Sequence, residues 1–186
     1  MSPFAFCESL VNINIPNNVT TIGDCAFEGC DSLTSITIPS SVVTIIGNPF
    51  KSWHGNLYNE SKAFIYEDHV LFNKNKTTLI AYRAKKTNYT IPNSVTTIER
   101  GAFSHCESLT NINIPNSVTT IENSAFAFCE SLTNINIQNS VTIIGNNGKR
   151  IRDASIYTSK KISLKLLFLS DIFLFPFVRQ QFPVLA

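Results

Sequence analysis

Residues 103–122 read FSHCESLTNINIPNSVTTIE, and residues 126–145 read FAFCESLTNINIQNSVTIIG. Phe103 to Phe126 and Cys106 to Cys129 are each 23 residues apart. The same period recurs upstream, in residues 4–23 (FAFCESLVNINIPNNVTTIG) and 27–46 (FEGCDSLTSITIPSSVVTII), and residues 89–102 (YTIPNSVTTIERGA) are a partial copy. Self-similarity at a fixed period of this size is the mark of a stacked array, in which one repeat cannot bury its apolar side chains and neighbouring copies must do so together.

Inside one copy the pattern is F-x-x-C-x-x-L-x-x-I-x-I-P-x-x-V-x-x-I. The stretch L-x-x-I-x-I has the period of a half-buried strand, with Ile135 and Ile137 on one side and Asn134 and Asn136 on the other. Proline then ends the strand, because it has no N–H for the ladder. The second apolar pair, such as Val118 and Ile121, predicts a second short extended piece. The A-F-x-x-C segment is expected to form a helical or 3₁₀ turn that packs its phenylalanine inward. Coils stacked at about 4.8 Å, the spacing of paired strands, build continuous ladders of Leu, Ile, Val and Phe. The expected fold is a mainly β repeat solenoid, with a parallel sheet on one face and short turns or 3₁₀/helical segments on the other.

The string AFEGCDSLTSITIPSSVVTI resembles the leucine-rich repeat of BspA-like proteins, found on the surfaces of bacteria and some parasitic protists. The resemblance covers roughly residues 1–145 and implies a leucine-rich repeat fold, a place at the cell surface, and adhesion to host or matrix proteins. It also implies an elongated repeat in the middle, which in this family carries a D-G-V-L-Y-N-K turn followed by Y-P. In this chain His69 stands at the glycine of that turn and Arg83 at the proline, so a tight turn at Asp68–His69 is less favoured, since His tolerates positive φ poorly.

Four segments follow from the repeat and from charge. Residues 1–50 hold two copies and carry four acids and no Lys or Arg, and residues 89–145 hold the later copies. Between them, residues 51–88 are an irregular elongated repeat, because Phe50 to Phe103 spans 53 residues, two periods plus seven. Here Trp53 falls where a Cys is due. Residues 64–82 read as a hairpin, with Val70–Phe72 as one strand, Asn73–Lys76 as the turn and Leu79–Tyr82 as the return. Residues 146–186 form a basic, apolar tail that shares no position with the repeat. Three readings fit this tail: translation out of frame after a disrupted repeat, a helical cap, or a membrane-associating segment. Residues 164–178 are broken by Lys165, Asp171 and Pro176 and fall short of the ~20 apolar residues that span a bilayer. The first ten residues lack the basic start and apolar core of a signal peptide, and they begin inside a repeat. A fragment of a longer gene is therefore one expectation.

The chemistry is sparse. The net charge of +2 and the absence of a strongly basic block argue against nucleic acid. Five cysteines without a C-x-x-C pair give no metal site. Cys7, Cys30, Cys106 and Cys129 share one repeat position and are expected as buried thiols stacked inside the coils, although that stacking would also bring Cα atoms within disulfide range. His105 beside Cys106 looks like a nucleophile pair, but the equivalent cysteines lack such a histidine. Neither a phosphate loop nor a nucleophile elbow nor paired carboxylates occur, so no enzyme and no cofactor are expected. Asn18, Asn59, Asn75 and Asn88 each open an N-x-S/T triplet, which asparagine-rich sequence also produces by chance.

Repeat proteins often bind on their sheet face. Here that face offers Asn12, Asn14, Ser35, Thr37, Asn111, Asn113, Asn134 and Asn136, which are suited to ladders along the stack. Binding energy concentrates in Trp, Tyr and Arg, and these gather in the insertion. The candidate partner-binding residues are Trp53, Tyr58, Tyr66, Tyr82, Arg83, Lys85 and Lys86. The functional expectation is non-catalytic protein–protein interaction, with a truncated gene fragment or an intracellular scaffold as alternatives. Self-association through uncapped coil ends is a further expectation.

Overall fold

The computed structural model describes residues 3–145 and 155–158. Strands are numbered in chain order. One broad face of the solenoid carries the longer strands β2 (Ser35–Ile38), β4 (Asn56–Asn59), β8 (Asn88–Thr90), β10 (Asn111–Asn113), β12 (Asn134–Ile137) and β14 (Ser155–Thr158). A narrow face carries two-residue strands, β1 (Thr21–Ile22), β3 (Thr44–Ile45), β9 (Thr97–Ile98), β11 (Thr120–Ile121) and β13 (Ile143–Ile144). Three further strands, β5 (Phe64–Glu67), β6 (Val70–Asn73) and β7 (Thr78–Tyr82), come from the insertion. Pairing between coils is parallel and in repeat register, as in Asn88↔Asn111↔Asn134 and Thr97↔Thr120↔Ile143. The expected mainly β solenoid is therefore the observed one.

The inward positions are those the alternation selects. Leu109, Ile114, Val118 and Ile121 are fully buried, as are Phe103 and Ala102. Phenylalanine rings stack coil on coil, Phe4 on Phe27 at 5.9 Å, Phe27 on Phe50 at 6.1 Å, and Phe103 on Phe126 at 5.1 Å. The ladder cysteines are free thiols that add a bond between coils. Cys30 Sγ donates to the Phe4 carbonyl and Cys129 Sγ to the Phe103 carbonyl, each at 3.0 Å.

No helix occurs among the described residues, and the A-F-x-x-C segment is a run of β-turns. Two backbone patterns alternate along it. Ala102, Ser104 and Cys106 donate three residues back within the coil, whereas Gly101, Phe103 and His105 donate to the next coil. A left-handed residue recurs at one position (Phe6, Gly29, Ser52, His105 and Phe128, with φ between 57° and 64°) and stops any helix from propagating.

The tail holds one described strand. β14 pairs in parallel with β12, Ile137 opposite Thr158, although the sequence there has no repeat signature. Residues 164–178 lie outside the described residues. Among the described residues, no helix is long and apolar enough to cross a membrane.

The insertion is a meander. β5 and β6 pair antiparallel through a two-residue turn, and β6 and β7 through Asn73, whose Oδ1 accepts from the N–H groups of Thr77 and Thr78 at 2.8 and 3.0 Å. Asp68 and His69 both adopt positive φ, 47° and 61°, so the tight turn forms without glycine. The meander joins the narrow face, β7 running parallel to β9. Its residues alternate between two cores. Phe64, Leu71, Ile80 and Ala81 pack with the N-terminal coils, whereas Val70, Phe72, Leu79 and Tyr82 pack with the C-terminal ones. A sheet covered on both faces reads as a continuous apolar run, which is why VLF and LIAY show no alternation.

Candidate functional site

The insertion adds strands to the narrow face, which divides into β1–β3 and β5–β6–β7–β9–β11–β13, and splits the broad one. Between β5 and β9 stand β6 and β7, but among the described residues no strand stands between β4 and β8, and the broad face divides into β2–β4 and β8–β10–β12–β14. A cleft of about 650 Å³ opens at the break. Residues 52–58 form one wall, residues 104–109 the other, and Tyr66, His69 and residues 82–85 lie between them. The coil at the bottom is short. Six residues separate Tyr82 from Asn88, whereas eight separate Phe103 from Asn111, the partner of Asn88. The coil before it is short in the same place, with six residues from Phe50 to Asn56 and Trp53 at the cysteine position, so the two shortened loops leave the space.

The seven candidate residues occupy different places. Trp53 and Tyr82 are core residues, 2% and 3% exposed. Trp53 tilts against Phe50 and donates its Nε1 to the Leu33 carbonyl at 2.7 Å. Tyr82 takes the phenylalanine position of its coil: its ring stacks on Phe103 at 5.0 Å and its carbonyl accepts from Cys106 Sγ at 3.7 Å. Burial raises its hydroxyl pKa to about 12. Only edges of these two residues reach the cleft. Tyr58 stands outward on β4, opposite Thr37, and is 57% exposed. Tyr66 is half-buried, Lys85 is exposed, and both line the cleft. Lys86 is exposed beside it but is not part of the lining.

Arg83 bridges the two halves. Its guanidinium lies 4.2 Å from the Trp53 ring and 5.5 Å from the Phe50 ring, filling the place where the phenylalanine ladder is interrupted. Nη1 donates to the Trp53 carbonyl at 3.1 Å and Nη2 to the Gly55 carbonyl at 2.6 Å, while Nε is buried with no hydrogen-bond partner among the described residues. Burial lowers its pKa, with Tyr66 acting in the opposite direction, but a guanidinium stays charged. On the turn side a second polar bridge crosses the break. Asn48 Nδ2 donates to the Gly101 carbonyl at 2.8 Å, and Asn48 Oδ1 accepts from Phe50 N–H at 2.9 Å, replacing the carbonyl a regular next coil would offer.

Sequence reasoning singled out the aromatic and cationic part of this site but missed His54, His69, Ser104 and Glu107, which also line it. Ser104 and Glu107 sit in an ordinary copy of the repeat, so nothing local marks them. The one signal was the spacing, since the extra seven residues before Phe103 locate the break. Burial, then the cations Lys85 and Arg83, pushes the His54 pKa down, against the smaller opposing pull of Glu107 and Asp31. A hydrogen bond with Cys129 and burial hold the Cys106 thiol pKa well up. No cluster of metal-ligating side chains occurs among the described residues. The outward Asn and Thr side chains of the broad face bond along the stack, as in Asn111 Nδ2 to Asn88 Oδ1 at 2.8 Å and Thr110 Oγ1 to the Thr87 carbonyl at 2.9 Å.

The family model for the BspA type leucine rich repeat region matches six copies in this chain, over residues 1–60 and 79–148. The gap between these ranges falls on the meander. A leucine-rich repeat protein from Eubacterium ventriosum is 35% identical, with a TM-score of 0.64 over 70% of this chain and 37% of its own. A leucine rich cell surface protein from Faecalibacterium prausnitzii is 27% identical, with a TM-score of 0.56 over 92% of this chain and 59% of its own. The pneumococcal vaccine antigen PcpA is 26% identical, with a TM-score of 0.56 over 69% of this chain and 39% of its own. The chain thus spans less than two thirds of the length of each. No curated protein sequence matches it. Six family repeats in an unbroken solenoid on either side of the meander leave one conclusion: the chain belongs to the BspA-type leucine-rich repeat family.

Proposed function

We propose that this chain is a non-catalytic interaction module that binds a host or matrix protein at the cell surface, with the contact centred on the cleft at the break. Membership of a leucine-rich repeat family supports a repeat-based interaction role. The observation that carries the choice of site is the exposed Tyr58 at the rim of a cleft that also presents Tyr66, Arg83 and Lys85. Elsewhere the broad face is a self-satisfied polar ladder, with little to offer a partner. Surface location is supported by the relative from F. prausnitzii, which is described as a cell surface protein.

The test uses immobilised fibronectin, fibrinogen and collagen as matrix probes, with the full chain in solution. Tyr58→Ala combined with Lys85→Glu should weaken capture by about tenfold, as loss of an interface anchor does, while Asn113→Ala on the broad face leaves it unchanged. Trp53 and Tyr82 are unsuitable for this purpose, because their removal would open the core. Equal capture of both variants would sink the assignment. Surface biotinylation of intact cells, with a cytoplasmic protein as control, separates a surface protein from an internal scaffold.

A further inference from the structure

The break also has a main-chain side. In a parallel ladder, alternate residues of a strand turn both N–H and C=O to the same neighbour. On β4 the residues turned to β2 are 56, 58 and 60, as shown by Asn56 N–H donating to the Thr34 carbonyl at 2.8 Å and Glu60 N–H to the Ile38 carbonyl at 2.9 Å. Leu57, which lines the cleft, therefore turns its N–H and C=O toward the break, and among the described residues β4 has no strand on that side. Across the break the arrangement is mirrored. Asn111 N–H donates to the Thr87 carbonyl and Ile91 N–H to the Asn113 carbonyl, both at 3.1 Å, so residues 87, 89 and 91 face β10. Asn88 and Thr90 are left facing the break. Open strand edges are normally blunted by proline, lysine or a covering segment. β4 reads NLYN and β8 reads NYT, without proline or lysine, and Arg83 covers only the approach to the β4 edge, at the Trp53 and Gly55 carbonyls.

The lining also sets a charge preference. Arg83 and Lys85 face it against the one carboxylate of the lining, Glu107. An extended segment with carboxylates at alternate positions would meet both needs. Its main chain would satisfy the strand edges, and an acidic side chain would reach the cations.

Resting on the cleft as the protein-binding site, we propose that an extended acidic segment of the protein ligand enters the break as an added β-strand, its main chain paired with the free edge of β4. Strand addition draws affinity from main-chain hydrogen bonds and specificity from alternate side chains. It needs only a short stretch of ligand, since β4 spans four residues.

The experiment uses the full chain and a synthetic probe, the acetylated and amidated heptapeptide TEVEVDT. Trp53 is the single tryptophan and lines the cleft, so its emission reports occupancy directly. The expected result is a saturable emission change that is lost or weakened about tenfold when alternate backbone amides of the probe are N-methylated, because each methyl removes a ladder donor. A probe with lysine in place of every acid should weaken by a similar factor, as should Lys85→Glu against the acidic probe. If the N-methylated peptide binds as tightly, strand addition is overturned. If the lysine peptide binds as tightly, the acidic preference is overturned. Absence of saturable binding by every peptide overturns the proposal, yet the cleft assignment survives if Tyr58→Ala with Lys85→Glu still abolishes capture by the matrix proteins. Should both tests fail together, the site itself is wrong.

Discussion

At the scale of single residues, the cysteine of the repeat shows what the stack demands. Cys129 is 1% exposed, and its thiol donates to the Phe103 carbonyl one coil away. Few residues both fit this space and offer a donor: alanine fits but donates nothing, and valine fills more but leaves the carbonyl unpaired. Cys129→Ala should therefore lower stability by about 1–3 kcal/mol, from the lost volume and the orphaned acceptor together. Cys7 holds the same repeat position in the first coil but is only half-buried, so Cys7→Ala should cost less than about 1 kcal/mol. Urea midpoints at unchanged m-value would measure both, and equal costs would show that the position matters for propensity rather than for stacking. The repeat pattern made the cysteines, phenylalanines and isoleucines legible, because each recurs against its own copy. Tyr82 and Trp53 were read as candidates for a partner, yet they sit in the core. In Tyr82 a phenylalanine ladder position is occupied by tyrosine where the repeat is out of register, so no copy aligned with it to reveal its role.

At the scale of elements, the meander separates and joins two cores. Its first turn is expensive. Asp68 and His69 both sit at positive φ, held by the pairing of Glu67 with Val70 on either side and by the Arg83 N–H, which donates to the His69 carbonyl at 2.8 Å. His69→Gly should raise stability by up to about 1 kcal/mol, or roughly 2–4 °C in Tm for a chain of this size, because glycine adopts this region without a Cβ clash. The substitution gives up the 3.4 Å contact of His69 Nδ1 with the Tyr66 hydroxyl, which is exposed and weak. A lower Tm would mean that this contact outweighs the backbone strain. The strands themselves couple the halves. Leu71 is buried in the N-terminal core and Phe72 in the C-terminal core, although they are neighbours on β6. Leu71→Ala and Phe72→Ala should each cost about 2–5 kcal/mol, and both variants should still unfold in one step, with Trp53 emission and far-ultraviolet circular dichroism coinciding. Separate transitions would show that the cores are independent blocks, as nearest-neighbour repeat arrays permit. The hairpin was visible in the sequence as strand, turn and return. Its consequence for the broad face was not, because a missing strand leaves no residues to read.

At the scale of the whole molecule, the break is held by buried titratable groups, and this sets how stability responds to pH. Lys51 is 8% exposed. Its Nζ lies 2.8 Å from Asp24 Oδ1 and 3.1 Å from Cys25 Sγ, on the turn side where Asn48 reaches Gly101. Burial works against the Lys51 charge, but the Asp24 and Cys25 contacts outweigh it, and its pKa rises above the ordinary 10.5. Burial, together with a hydrogen bond to Glu28, raises the Cys25 thiol from 9.0 to about 11, and burial raises Tyr82 from 10.0 to about 12. In all three the folded state holds its proton more tightly than the unfolded chain. The unfolded state therefore loses protons first as pH rises, and unfolding free energy falls through that window. Stability contributed by Cys25 is present below pH 9 and is lost between pH 9 and about 11, and that of Tyr82 between pH 10 and about 12. The Lys51 contribution fades above pH 10.5. The urea midpoint should accordingly hold steady near neutrality and decline from pH 9 upward. Cys25→Ser keeps a polar partner for Lys51 but does not titrate there, so it should make the decline from pH 9 shallower. The Cys30 thiol, raised by burial, the Cys106 thiol, raised by its hydrogen bond with Cys129 and by burial, and the groups above pH 10 sustain the rest. A midpoint that rises with alkaline pH, or a decline identical in Cys25→Ser, would show that the groups around the break are not the ones that couple proton release to unfolding.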